Sequence, residues 1–322
     1  MISGIKKIWK TFARLVSFYF GLKSRNEEMK EMKIQDEVQA FLSKNSDLEL
    51  ALIGCRADSS HISYDCCEYD IAVLGSSENG YDKKIIQIGD NTIEFLHFPN
   101  YQKYGNSDIS LFNMIKIEKS SALFISPHPP KIDSKTWYIA AGKRRVVDSL
   151  FNVAKNGNNK SESNASSLNL KIAAYALIEG IILISQTRPM PIHELNQLRQ
   201  VQVRKDFINE AIQVCIECLG IERATRTIIN RSFKALKEIL KERYDVELLS
   251  SKIDFLLKQG LLADCYYYIG KLVCSHLEKK DNASQLNYHK LNTIALDLTS
   301  DYEKVKKLSA LVKRDCKLLL KN

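Results

Sequence analysis

The sequence predicts an α+β protein in which a small mixed sheet is followed by an all-α helical bundle. Three observations predict it. Between residues 48 and 98, four short apolar runs are bounded by glycines and polar turns, as strands are. Beyond residue 168 the apolar residues recur with helical period. Between these regions, Asn156 to Ser167 (NGNNKSESNASS) has the small, polar composition of a linker or loop. The expected organisation is an amphipathic extension over 1–30, the strand-bearing domain with its following helix over 31–155, a linker or loop over 156–167, and the bundle over 168–322.

Residues 2–23 place Ile5, Ile8, Trp9, Phe12, Val16 and Phe20 at helical spacing opposite Lys6, Lys7, Lys10 and Arg14. Such a helix packs on its own protein or a partner, or lies flat on an anionic membrane. After the charged stretch Lys23 to Lys33, a helix is expected over 34–43, ended by Lys44-Asn45-Ser46. Strands follow at Leu48 to Ile53, Tyr69 to Leu74, Ile85 to Ile88 and Thr92 to Phe98, the last two joined by a hairpin turn at Gly89-Asp90-Asn91. From Ser107 to Phe124 the apolar period becomes helical, and Pro127, Pro129 and Pro130 stop it. Another helix is expected over 134–155. Eight more follow at about 168–186, 191–200, 204–219, 221–243, 246–258, 260–278, 283–298 and 301–320, with breaks at Gly220, Gly260 and Lys279 to Asn282. No repeat of fixed period connects them.

The chain has 322 residues, a formal net charge of +9 and a pI near 9.0, a balance that suits nucleotides, RNA or an anionic membrane. Its eight cysteines are scattered, and no cleavable signal opens the sequence, so a reducing, cytoplasmic setting is expected. Cys215 and Cys218 form a CxxC, but it lies in a helical pattern with no second CxxC and no paired histidines. Two half-buried thiols are expected there. No apolar run reaches the roughly 20 residues of a spanning helix.

The segment that carries chemistry is LALIGCRADSSHISYDCCEYDIAVLG. A strand ends at Gly54-Cys55, a polar loop follows, and Glu68-Tyr69-Asp70 opens the next strand. Side chains alternate along a strand, so Glu68 and Asp70 share a face. Two carboxylates beside a glycine turn that admits a phosphate are half of a divalent-metal site for phosphoryl transfer. Glu94, on TIEFLHF, supplies a third acid. Asp58 and Asp65 rank lower, because a loop lacks a strand's fixed direction. Arg56 follows the turn, where it reaches a phosphate or stays exposed. His97 is offset from Glu94 by an odd number and reads as structural.

This order resembles the polymerase-β-type nucleotidyltransferase superfamily, particularly small prokaryotic members related to kanamycin nucleotidyltransferase. The resemblance covers about residues 34–130, with a helical domain expected after it. It implies that Gly54 and Cys55 cradle a triphosphate, that Glu68 and Asp70 hold Mg²⁺ (or Mn²⁺), and that Glu94 completes the cluster and helps activate an acceptor hydroxyl. NTP is the implied substrate, and the acceptor is an RNA, a protein or a small molecule. The chain departs from the family in having Cys55 for serine, and Glu68 and Glu94 for aspartates. A nucleotide-sensing or partner-binding protein with a degenerate site is therefore the alternative.

In the helical half, Arg188 and His193 are separated by four residues, and similar pairs occur in a related family of small helical ribonucleases. A metal-independent ribonuclease is the second alternative. The other reading is that Pro189 and Pro191 break the chain and His193-Glu194 starts the next helix. Lys171, Tyr175 and Glu179 share one helix face that either lines a cleft or is solvated, and Tyr266 to Tyr268 are expected to pack.

Overall fold

A computed structural model describes residues 36–44, 49–57, 66, 68–74, 83–89, 91–98, 115–117, 124–125, 134–156, 163–201, 206–240, 246–278, 280 and 289–321. The chain divides into two compact units, Met1–Asp36 and Glu37–Asn322. The expected amphipathic helix over 2–23, its membrane contact, and the loop acids Asp58 and Asp65 lie outside the described residues.

In order, the first elements are α1 (Asp36–Lys44), β1 (Glu49–Ile53), a 3-10 turn (Gly54–Ala57), β2 (Glu68–Leu74), β3 (Lys83–Ile88), β4 (Asn91–Phe98), β5 (Ile115–Ile117) and β6 (Phe124–Ile125). The helices then run α2 (Ser134–Ala154), α3 (Ser163–Ile184), α4 (Glu194–Gln200), α5 (Asp206–Leu219), α6 (Arg226–Leu240), α7 (Val246–Lys258), α8 (Leu262–Leu277), α9 (His289–Leu296) and α10 (Tyr302–Lys321). A mixed α/β architecture results. Four longer strands and two very short ones form one sheet in the order β3-β4-β2-β1-β5-β6. Only β2 and β4 pair in parallel; the other neighbours are antiparallel.

Register assigns the faces. Ala51 lies opposite Ala72, Ile53 opposite Asp70, Asp70 opposite Glu94, and Leu74 opposite Phe98. One face therefore carries Ala51, Ile53, Ala72, Leu74, Leu96 and Phe98 as an apolar cluster, with the acids at one end. The other face carries Tyr69, Ile71, Val73, Ile93 and Phe95, all buried. There α1 packs through Phe41, whose ring lies 6.3 Å from that of Phe95. Strands buried on both faces lose the polar alternation of a solvated sheet.

Two expectations are corrected. The apolar period of 107–124 predicts a helix, yet its described part is strand: Ile115–Ile117 pairs with Ala51 and Leu52 on the free edge of β1, and β6 pairs with it in turn. Three residues alternating about Lys116 are too short to outweigh a helical period in sequence, and sheet pairing decides their conformation. The expected linker over 156–167 also shrinks, because α3 begins at Ser163. Ser166 and Ser167 are buried, and Ser167 Oγ accepts a hydrogen bond from the Thr299 amide at 3.1 Å. The helix α2, assigned to the first domain in sequence, packs along α3 and also against α10.

The helices form where apolar residues recur at three and four. The buried side of α6 is Ile229, Ser232, Leu236 and Ile239, and that of α10 is Val305, Leu308, Val312, Cys316 and Leu319. In contrast, α3 is apolar nearly all round. By length and composition its segment Asn164–Ile184 could cross a membrane, but it is 83% buried, which is the position of a central core helix. It meets α2 at a close crossing. A Cβ on Gly142 would lie 2.8 Å from the Ile184 amide nitrogen and 2.9 Å from the Gly180 carbonyl oxygen, both rigid backbone atoms.

A buried ionic network ties α2, α3, α4 and α8 together. Lys271 Nζ lies 2.8 Å from Glu179 Oε2 and 3.2 Å from Glu194 Oε1; Arg145 Nε lies 3.2 Å from Glu179 Oε1 and its Nη1 3.2 Å from Glu278. The Tyr267 hydroxyl donates to Glu194, which is only 1% exposed.

Lys271→Met should cost about 3–5 kcal/mol, because it strands Glu194 without a counter-charge. Arg231→Ala, at a half-exposed pair with Asp297, should cost under about 1 kcal/mol. Urea unfolding followed by circular dichroism measures both. Gly142→Val should lower stability by roughly 1–3 kcal/mol or more through overpacking, read as a fall in Tm.

Candidate metal centre

The first two acids leave β2 from one face, and the parallel neighbour β4 brings the third into line with them. Asp70 pairs with Glu94 in the strand register. Carboxylate oxygens of Glu68, Asp70 and Glu94 lie within 4.8 Å of one another. Glu68 and Glu94 are buried, while Asp70 is half-buried. The sequence singled out these three, and the fold brings them together.

The turn after β1 is shaped around Asp70. Gly54 has φ +76°, and a Cβ there would stand 1.9 Å from Asp70 Oδ2. Glycine is needed twice over, for the left-handed backbone and for the space the carboxylate occupies. Its neighbours depart from the expected cradle. The Cys55 side chain is buried among core residues of the helical half. A hydrogen bond with Cys66, and then burial, raise its thiol well above the ordinary range, so it stays protonated. Arg56, expected to reach a phosphate, is instead a brace: Nε donates to the Glu68 carbonyl at 2.8 Å, Nη2 donates to the Cys66 carbonyl, and the guanidinium sits 4.1 Å above the Tyr69 ring. It ties the Gly54 turn to the start of β2.

Lys252, on α7, is the functional side chain that sequence reading missed. Its ammonium lies 2.7 Å from Glu68 Oε1, with the lysine side chain 15% exposed and the glutamate 5%. A signal for it exists, since Leu248, Leu249, Ile253 and Leu256 form the buried stripe of α7 and Lys252 falls within that stripe. A lysine there must have a partner. Burial opposes its charge, but Tyr268, Glu68 and Asp70 together raise it well above the usual lysine range.

Burial pushes the Glu68 carboxyl up to about 7 against the pull of Lys252, and burial followed by the Glu68 charge raises that of Asp70. The Lys252 ammonium meets the cluster at Glu68, and Glu68 Oε2 is buried without a hydrogen-bond partner among the described residues. A hard divalent cation suits that donor set. Octahedral oxygens about 2.0–2.1 Å from Mg²⁺ lie about 3–4 Å apart, and the separations here are compatible.

No family model matches the chain, and no curated protein matches it.

The remaining candidates of the helical half separate into core and cavity. Lys171 is buried and donates to the Leu219 carbonyl at 2.6 Å, and burial lowers its ammonium to about 8. The Tyr175 hydroxyl donates to the Tyr267 carbonyl at 3.1 Å, and Tyr266 to Tyr268 are buried as packing residues. Cys215 and Cys218 are buried thiols of α5. Glu179 and Arg188 line a cavity of about 370 Å³ with Trp137, Arg144, Arg145 and Lys271. His193 is buried at the start of α4, its ring beside Cys55 and Cys66. Buried there, it offers no open face to an RNA strand.

The raised carboxyls make stability pH-dependent in a defined direction. Glu68 titrates about 7 in the fold against an ordinary 4.5, so its contribution is present below 4.5 and lost as pH rises through about 7. Asp70 acts in the same sense. Mn²⁺ competes with those protons, so the rise in Tm it produces should be larger at about pH 8 than at about pH 5. Thermal scans with and without Mn²⁺ check this; an equal gain at both pH values contradicts it.

Proposed function

We propose that the chain is a nucleotidyltransferase that moves a nucleoside monophosphate from an NTP to an acceptor hydroxyl. The single observation that carries the reading is the convergence of Glu68, Asp70 and Glu94 beside the Gly54 turn. The resemblance in motif order to polymerase-β-type nucleotidyltransferases supports the same reaction, and so does the basic excess of the chain.

In this reading Glu68, Asp70 and Glu94 hold Mg²⁺ or Mn²⁺. The bound ion supplies Lewis acidity for the attacking oxygen and counter-charge for the leaving pyrophosphate. The protein's own groups do the rest. Gly54 leaves its turn without a side chain, so the Asp70 carboxylate stands against the turn backbone, beside the place a phosphate would take. Glu94 accepts the hydrogen bond of the acceptor hydroxyl and orients its oxygen. Arg56 holds the Glu68 backbone, and Lys252 opposes the rise that burial imposes on the Glu68 carboxyl.

A second reading, MgNTP binding without turnover, is favoured by one observation: Lys252 already neutralises a carboxylate that a metal requires.

Pyrophosphate release from each NTP, with Mg²⁺ or Mn²⁺ and a pooled set of RNA, protein and small-molecule acceptors, tests both. Loss of an outer-shell partner costs about 10–100-fold, so Asp70→Asn, which alters a ligand itself, should cost at least about 100-fold. A wild type that binds MgNTP and releases no pyrophosphate establishes the second reading and overturns the first.

A further inference from the structure

We infer that Cys55, Cys66 and His193 form a Zn²⁺ site, distinct from the carboxylate cluster and independent of the reaction proposed for it. The three come from separate segments: the 3-10 turn after β1, the residue two before β2, and the N-cap of α4. Both sulfurs and a ring nitrogen of His193 lie within 4.8 Å of one another. The side chains are 6%, 5% and 7% exposed, so the set is enclosed.

The chemistry of the donors selects the ion. Two thiols and an imidazole are soft and borderline ligands that favour zinc over magnesium or calcium. In tetrahedral zinc, with Zn–S about 2.3 Å and Zn–N about 2.0–2.1 Å, donor atoms stand about 3.5–3.8 Å apart, so closure requires movements of about 1 Å. Zn²⁺ displaces the two thiol protons to solvent and leaves two thiolates and one neutral imidazole, a centre of zero net charge. Zero net charge makes a buried position tolerable, whereas a lone buried cation would be costly. A water takes the fourth position.

The centre would join the N-cap of α4 to both strand ends that frame the acid cluster. It shares no donor atom with Glu68, Asp70 or Glu94. Soft and hard ions are thereby sorted between adjacent sites.

The test loads the full-length protein with Co²⁺ in place of Zn²⁺ and reads the thiolate-to-cobalt charge-transfer band. One equivalent per chain should give that band with tetrahedral d–d absorption; Cys55→Ser and His193→Gln should abolish it, and Asp70→Asn should retain it. If a variant fails to fold, pulsed alkylation of the wild type in mild denaturant decides: Zn²⁺ should slow labelling of Cys55 and Cys66 but not of Cys215 and Cys218. The proposal is overturned by a wild type without the band, by a band that survives Cys55→Ser, by zinc-independent labelling, or by a Cys55–Cys66 disulfide in protein isolated with its thiols trapped.

Discussion

The Lys252 ammonium set against the carboxyl cluster governs this molecule. Lys252 crosses from the helical half to Glu68 at 2.7 Å, and without it the acid end of the sheet would be a buried cluster of like charges. The pairing settles two other features. It joins α7 to the start of β2 through that ion pair, and it keeps Glu68 from rising further than about 7. A paired buried charge is tolerable where a lone one is not, so the acid cluster and α7 form one unit, although they are far apart in the chain.

The same device recurs in the bundle. Lys171, Lys252 and Lys271 each sit on the apolar side of a helix, and each meets a different acceptor: the Leu219 carbonyl, Glu68, and the Glu179–Glu194 pair. Buried polar groups with unique partners fix which helix face meets which, since sliding a helix by one turn would strand the charge.

Much of this was legible in sequence. Alternation on β2 put Glu68 and Asp70 on one face, and the Gly89 hairpin led to Glu94, because strand period and turn chemistry are local properties. Gly54 was legible as a turn glycine, though not as the residue that yields its space to Asp70. Lys252 was not found, because only tertiary packing shows that a stripe lysine faces a distant acid. The inward direction of Cys55 and the bracing role of Arg56 depend on backbone curvature in a four-residue turn. The strands β5 and β6 were read as helix because pairing with an edge, not their own pattern, determines them. The small serines of α3 imitate a linker for the same reason: their burial is decided by neighbours.

The parallel pairing of β2 with β4 carries a consequence for how the three carboxyls come together. Neighbouring parallel strands cannot be closed by a tight turn, so the chain passes from β2 to its parallel neighbour through β3, which pairs on the far side of β4. Asp70 and Glu94 are brought opposite each other by that non-local pairing. A slip of one residue would send Glu94 to the opposite face, beside Tyr69 and Ile71, where an ionised carboxylate is not tolerated. A misregistered pairing is thus disfavoured electrostatically. A chain in which β4 is not paired with β2 in this register presents no assembled acid cluster.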